Sequence, residues 1–132
     1  MEQTKVTVGV TAQGARHLDE LMDTGWFGSE MAAYLLAVGT ALSRGLTPSP
    51  APLKGVTTKW NVGSLDRDGR LRELVGLMGP EGLQDPYEYA ERLAEVGLEF
   101  LKRKIVDQEQ LLSDVLEPGA APPIEADPEA TG

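Results

Sequence analysis

The segment from Glu30 to Arg44 constrains the fold more than any other part of the chain. It reads EMAAYLLAVGTALSR, and on a helix its apolar side chains would cover nearly the whole circumference, so the helix has to be buried on most sides. Ser29 before it and Gly45 after it are typical of a helix start and a helix end. Because a chain of 132 residues has few elements to cover such a helix, we expect a second copy of the chain to cover it. The predicted homo-oligomer interface consists of Met31, Tyr34, Leu35, Val38 and Leu42.

The residues before this helix predict a strand and a first helix, so that residues 4–45 form a strand followed by a buried two-helix hairpin. Residues 5–10 read KVTVGV and alternate polar with apolar side chains, which is the period of a strand with one buried face. Thr11 can cap a helix whose apolar residues recur at helical spacing over 12–22, and Gly25 can end it.

The residues after the hairpin predict a second strand and two or three further helices. A connector with three prolines, residues 46–53, leads into a strand that contains Trp60. Asp85 and Pro86 open a later helix that runs to about residue 104, and residues 111–116 indicate one more. The predicted fold class is mostly α, a helix-rich α+β domain over residues 1–116. Between the strand and the later helix lies a short predicted helix with Leu71, Leu74, Val75 and Met78 on one side.

Acidic residues are concentrated towards the C-terminal end. The net charge of −9 divides into −2 over residues 1–50, 0 over residues 51–105 and −7 over residues 106–132. From residue 117 the chain reads EPGAAPPIEADPEATG and has almost nothing to bury, so we expect a disordered acidic tail at 117–132. The folded body is then close to neutral, and the acidic total does not argue against a nucleic-acid-binding surface on it.

Composition excludes several classes of function. The chain has no cysteine, which rules out disulfides, zinc–thiolate sites and cysteine nucleophiles. The N-terminal residues MEQTKVTVGVT lack the apolar core of a signal peptide, and the most apolar stretch, residues 31–42, is too short to span a bilayer. We therefore expect a cytoplasmic protein without a membrane partner.

Neither a catalytic site nor a cofactor is indicated. His17 is the only histidine, and no nucleophile motif surrounds any serine. The turn DRDG at 66–69 has only the first ligands of a calcium loop, so we expect it to cap the next helix instead. Glutamates at 88, 91, 95 and 99 fall at helical spacing, and arginines at 92 and 103 follow two of them at i,i+4. We interpret them as a solvated, salt-bridged face, and the chain as a non-enzyme without metal or cofactor.

Residues 54–72 are the most basic window of the chain. They contain five basic residues against two acidic ones, with Trp60 among them as a stacking surface for nucleic acid. The alternative is an exposed strand edge protected by charges, with Trp60 in the core. The candidate DNA-binding residues in this window are Lys54, Lys59, Arg67, Arg70 and Arg72.

The order of strand, helix, turn and helix over residues 4–45 resembles the ribbon-helix-helix family. In that family two chains pair their N-terminal strands into a ribbon that enters the major groove of DNA. The resemblance implies that Lys5, Thr7 and Gly9 face the bases. It also implies that the amides opening the second helix, at residues 28–30, hold a phosphate.

A second resemblance spans residues 11–105. The motif TGWF at 24–27, a buried helix ending in ALSRG at 41–45, a strand with Trp60, and the late helix with AEVGLEFL at 94–101 are similar to the DndE family. Its members are small, helical, oligomeric accessory proteins of bacterial DNA phosphorothioation and phage-defence systems. The resemblance implies DNA binding through lysines.

These observations favour a non-catalytic accessory or assembly subunit of a bacterial DNA-handling or phage-defence complex, with weak, backbone-directed DNA binding. Its expected partners are a second copy of itself, other protein subunits and DNA. One alternative is a ribbon-helix-helix regulator or antitoxin that binds an operator. Another is a protein–protein adaptor that never contacts nucleic acid.

Overall fold

The computed structural model describes residues 6–50 and 52–116 and confirms the helix-rich α+β fold. The expected tail at 117–132 lies outside the described residues. In chain order the elements are β1 (Thr7–Val10), α1 (Ala12–Asp23), α2 (Glu30–Arg44), β2 (Thr57–Asn61), α3 (Val62–Leu65), α4 (Arg70–Met78), α5 (Pro86–Leu101), a π-helical segment (Lys102–Asp107) and α6 (Leu112–Leu116).

The apolar helix α2 packs against α5, and this pair forms the centre of the core. Small, fully buried residues occur on both helices, which lets the two backbones approach closely. At the crossing, a Cβ atom on Gly97 would lie only 2.1 Å from the carbonyl oxygen of Ala37. The small buried residues are Ala33, Ala37 and Ala41 on α2, and Ala90, Ala94 and Gly97 on α5.

The packing of α5 on α2 removes the main argument for a second copy over this helix. Tyr34 and Val38 have no exposed surface, so neither can contact another chain. Met31, Leu35 and Leu42 are half-buried and keep some surface for a partner. The homo-oligomer stays a prediction, but the inclusion of Tyr34 and Val38 in its interface is wrong.

The two strands form one antiparallel sheet, with Thr7 opposite Asn61 and Val10 opposite Thr57. The register shifts between Val8 and Gly9, where the backbones come unusually close. A Cβ atom on Gly9 would lie 1.9 Å from the carbonyl oxygen of Thr57, so this position requires glycine. Trp60 of β2 contacts the Tyr34 ring edge-on, with 4.9 Å between the ring centroids, which ties the sheet to α2.

The predicted helix caps are confirmed. The hydroxyl oxygens of Thr11 and Ser29 accept backbone N–H groups in the first turns of α1 and α2, from residues 14 and 32. Gly45 ends α2 in the left-handed conformation, with a φ of 66°. Asp85 accepts the N–H groups of residues 87 and 88 at the start of α5. These bonds satisfy backbone groups that a helix end leaves without an internal partner.

We predict that Gly97→Ala lowers the free energy of unfolding by about 2–3 kcal/mol, because the added methyl group collides with the α2 backbone. Urea denaturation followed by circular dichroism measures the change. Gly39→Ala is the matched control: Gly39 lies on α2, and a methyl group added there would meet no neighbouring element within 4 Å. It should leave stability unchanged or raise it by about 0.5–1 kcal/mol. Equal losses in the two variants would contradict the close crossing.

Candidate functional site

The row of glutamates on α5 is partly buried, which the sequence interpretation did not anticipate. Glu91 is only 4% exposed, and its Oε2 accepts the N–H of Gly9 at 2.9 Å. Glu95 accepts the N–H of Thr11 at 3.1 Å and its hydroxyl at 2.8 Å. The prediction of a solvated face is therefore wrong for Glu91. The expected i,i+4 pair between Glu88 and Arg92 is present, at 3.2 Å.

Tyr34 completes this buried network. Its hydroxyl donates to the carbonyl oxygen of Gly9 at 3.0 Å. Burial raises the pKa of Tyr34 far above its ordinary value, and the nearby charges of Glu91 and Glu95 raise it further. The phenol therefore stays protonated and acts as a hydrogen-bond donor that fixes β1 to α2.

Both edges of β1 are used within the chain. One edge pairs with β2, and on the other the N–H and C=O of Gly9 are bonded to Glu91 and Tyr34. Thr7 is half-buried in β1, and Lys5 lies outside the described residues. A ribbon between the β1 strands of two chains, as the ribbon-helix-helix resemblance implies, would have to form at edges that already have partners.

A cleft of about 800 Å³ opens between the start of α1, the connector after α2 and the face of α5. Its walls include Arg16 and Lys54 together with Glu95 and Glu99. Two bases and two acids give the cleft no clear preference for ligands of one charge. Within the described residues, no group of three histidine or acidic side chains is placed to hold a metal ion.

The structure does not bring the five candidate DNA-binding residues of the basic window together. Lys59 lies 2.6 Å from Glu30, and Arg70 lies 3.2 Å from Asp68, so both have an acidic partner. Lys54 lines the cleft beside α1 and α5. Trp60 packs half-buried against the core, which is the alternative that the sequence left open for it.

Three arginines lie around the N-terminal end of α4, one in the turn before the helix and two in its first turn. We call Arg67, Arg70 and Arg72 the basic corner. All three side chains are exposed, and in residues 6–50 and 52–116 neither Arg67 nor Arg72 forms an ion pair.

Helix α4 is anchored at this end by a buried carboxylate. Asp66 accepts the N–H groups of Leu71 and Arg72 at 2.8 and 3.0 Å, and the hydroxyl of Tyr87 at 2.8 Å. Burial and the bond to Asp66 raise the pKa of Tyr87 to about 12. The turn at 66–69 thus caps the next helix, as the sequence predicts.

The remainder of α4 turns apolar side chains outwards. Of its apolar residues only Leu71 and Val75 are buried, whereas Leu74, Leu77 and Met78 are 38%, 78% and 50% exposed. The sequence placed Leu74 and Met78 on the same side of the helix as Leu71 and Val75, and of these four only Leu71 and Val75 are buried. Leu77 was the sequence signal for this exposed surface, because an apolar residue outside the buried stripe of a helix indicates a second apolar surface.

The three outward residues lie at i, i+3 and i+4, so they form one surface, which we call the α4 face. Shallow grooves flank it on two sides. Leu35 and Gly39 of α2 line one groove with Leu74, and Leu42 lines the other with Met78. The half-buried residues of α2 therefore extend the apolar surface of α4.

None of the described helices is long and apolar enough to cross a bilayer. Comparisons of the chain with protein-family models, characterised proteins and solved structures find no match.

We predict that Asp66→Ala loosens α4 selectively, because two amides and the Tyr87 hydroxyl lose their shared acceptor. The free energy of local opening of α4 should fall by about 2 kcal/mol. Hydrogen exchange of a peptide covering residues 70–78 measures it. The matched control is Asp68→Ala: Asp68 is an exposed acid of the same turn that accepts the N–H of Arg70 at 3.2 Å, so a smaller fall is expected. Unchanged exchange in Asp66→Ala would contradict the anchoring role.

Proposed function

We propose that this chain is a non-catalytic assembly subunit that docks on another protein chain through the α4 face. The observation that carries the proposal is the exposure of Leu74, Leu77 and Met78 on a helix that buries only two of its apolar residues. Contiguous exposed apolar side chains of this kind mark protein–protein interaction sites.

The energetics support docking at this surface. Full burial of one leucine or methionine side chain stabilises a complex by about 1.5–3 kcal/mol. The anchoring of α4 by Asp66 holds the face in place before a partner arrives, which lowers the entropic cost of binding. The neighbouring residues Leu35 and Leu42 of α2 enlarge the surface that a partner can cover.

The roles of the buried acids support the non-catalytic part of the proposal. Glu91 and Asp66 both accept backbone N–H groups, which positions β1 and α4. Acids held in this way stabilise local structure. The bacterial DNA-handling or phage-defence setting rests on the sequence resemblance alone.

A second candidate function is weak contact with the DNA backbone through the basic corner. The observation that favours it is that Arg67 and Arg72 are exposed without an acidic partner in the described residues. Arginine binds phosphate groups independently of sequence. Arg70 of this corner lines the same groove as Leu74 of the α4 face, so an assembly subunit could contact a partner protein and DNA side by side.

We predict that a photo-crosslinking amino acid in place of Leu77 forms an adduct with a protein chain in the native cells. The adduct arises because Leu77 is the most exposed residue of the α4 face and would be covered in a complex. Mass spectrometry of the crosslinked peptide identifies the attached chain. The same amino acid in place of Gln13, an exposed residue of α1 that lines the cleft, is the control. Adducts at Gln13 but not at Leu77 would contradict docking by α4.

For the second candidate, we predict that a short DNA duplex binds at about 50 mM salt and roughly 40-fold more weakly at about 200 mM, as expected for three phosphate contacts. Fluorescence anisotropy measures both affinities. Arg67→Glu with Arg72→Glu should abolish binding. Arg16→Glu with Arg103→Glu changes the net charge equally at two other arginines, outside the basic corner, and should preserve it. Equal loss in both variants would contradict a localised DNA contact.

A further inference from the structure

The cleft beside α1 is lined by charged groups of both signs that do not pair with one another. Its acidic side chains, Glu95 and Glu99, belong to α5, whereas its basic side chains, Arg16 and Lys54, belong to α1 and to the loop between α2 and β2. Within the described residues none of the four forms an ion pair. One wall of the cleft is therefore negative, and the walls formed by the other two elements are positive.

Hydrogen bonds hold these walls together, so the cleft exists before a ligand enters it. Both carboxylate oxygens of Glu95 accept bonds from Thr11, which fixes the start of α1 to α5. Arg92 of α5 donates to the carbonyl oxygen of Ser49 at 2.9 Å, and this bond fixes the loop between α2 and β2. Arg92 is itself held by its ion pair with Glu88. A preformed site loses little conformational entropy when it binds a small molecule.

The cleft also offers hydrogen-bonding and apolar groups. His17 lines it, and Nδ1 of this ring is buried and has no hydrogen-bond partner in the part of the chain that the structure describes. Buried polar atoms are normally paired, so this wall favours a ligand that brings hydrogen-bonding groups of its own. Leu53 and Val96, both half-buried, add apolar surface. The lining therefore suits a ligand that has charged, polar and apolar parts.

The size of the cleft limits the length of such a ligand. Its volume of about 800 Å³ is that of a cube with an edge of about 9 Å, and it lies in the range of small-molecule sites. An extended chain of two or three residues is about 7–10 Å long. With free termini, such a peptide carries an ammonium group at one end and a carboxylate at the other. We propose that the cleft binds a di- or tripeptide, with its ammonium group at the two acids of α5 and its carboxylate at Arg16 and Lys54.

A ligand with both charges fits this lining better than a ligand with one. A plain anion would meet the carboxylates of α5, and a plain cation would meet the two bases. A carboxylate has about four acceptor sites, so Glu95 can bind an ammonium group in addition to Thr11. The guanidinium of Arg16 can hold a terminal carboxylate through two parallel N–H groups. Binding of a peptide here does not require docking through the α4 face.

Titration of the purified, untagged full-length chain with trialanine and with trileucine tests the proposal. His17 is the only histidine of the chain, so its imidazole signal in an NMR spectrum reports the entry of a ligand without overlap from another histidine. We expect a saturable shift of this signal, and isothermal titration calorimetry should give the same dissociation constant. The N-acetylated and the C-amidated form of the same peptide each lack one terminal charge and should bind about tenfold more weakly.

Two variants assign the terminal charges to the walls. Glu99→Gln should weaken binding of the unmodified peptide about threefold to tenfold and leave the N-acetylated form unaffected, since that form has no ammonium group. Arg16→Gln should weaken the unmodified peptide similarly and leave the C-amidated form unaffected. The matched controls, Glu73→Gln and Arg67→Gln, remove the same charges from exposed residues that do not line the cleft, and should bind like the unmodified chain. Circular dichroism verifies that each variant is folded.

The absence of saturable binding by either tripeptide up to about 10 mM would overturn the proposal. Capped peptides that bind as tightly as the unmodified ones would overturn it as well, because the terminal charges would then have no role. Equal losses in Glu99→Gln and Glu73→Gln would contradict a site in this cleft. The crosslinking at Leu77 is independent of these results, because it reports docking on α4.

Discussion

The close crossing of α2 and α5 is the contact on which the rest of the structure depends. It requires glycine at position 97, because the carbonyl oxygen of Ala37 occupies the space of a Cβ atom. With α5 in this place, Tyr34 is buried and Glu91 and Glu95 reach β1 and the residue that follows it. The same packing supplies the side of α5 on which α4 rests. The sheet and α4 are thus both positioned by a helix pair that the small residues bring together.

The elements and their ends could be predicted from the sequence because their causes are local. Thr11, Ser29 and Asp85 each bond to amides two or three residues away, and such spacing can be recognised in a sequence. The same is true of Gly45, whose left-handed conformation ends α2. The fold class follows from these signals and from the periodicity between them.

The way in which the helices and strands pack against one another could not be predicted, because it depends on residues far apart in the chain. Glu91 has the spacing of a solvated glutamate, and only its position opposite Gly9, 82 residues away, makes it a buried acceptor. Leu74 and Met78 share a helical side with Leu71 and Val75 in sequence, but only Leu71 and Val75 are buried in the core. The basic window appeared continuous in sequence, yet Lys54 and Arg70 line different grooves. The sequence therefore showed which types of residue were available for a candidate site, but not which of them lie together.

The bonds between Gly9 and α5 also set the order in which the chain can complete its fold during synthesis. The N-terminal strand is made first, but the carboxylate that binds its N–H belongs to residue 91. A nascent chain must therefore keep β1 and the apolar α2 incompletely covered until most of α5 has left the ribosome. Contacts of such long sequence separation slow folding, and exposed apolar surface during the delay favours association with other chains or chaperones. The last elements to emerge decide when the first ones become protected.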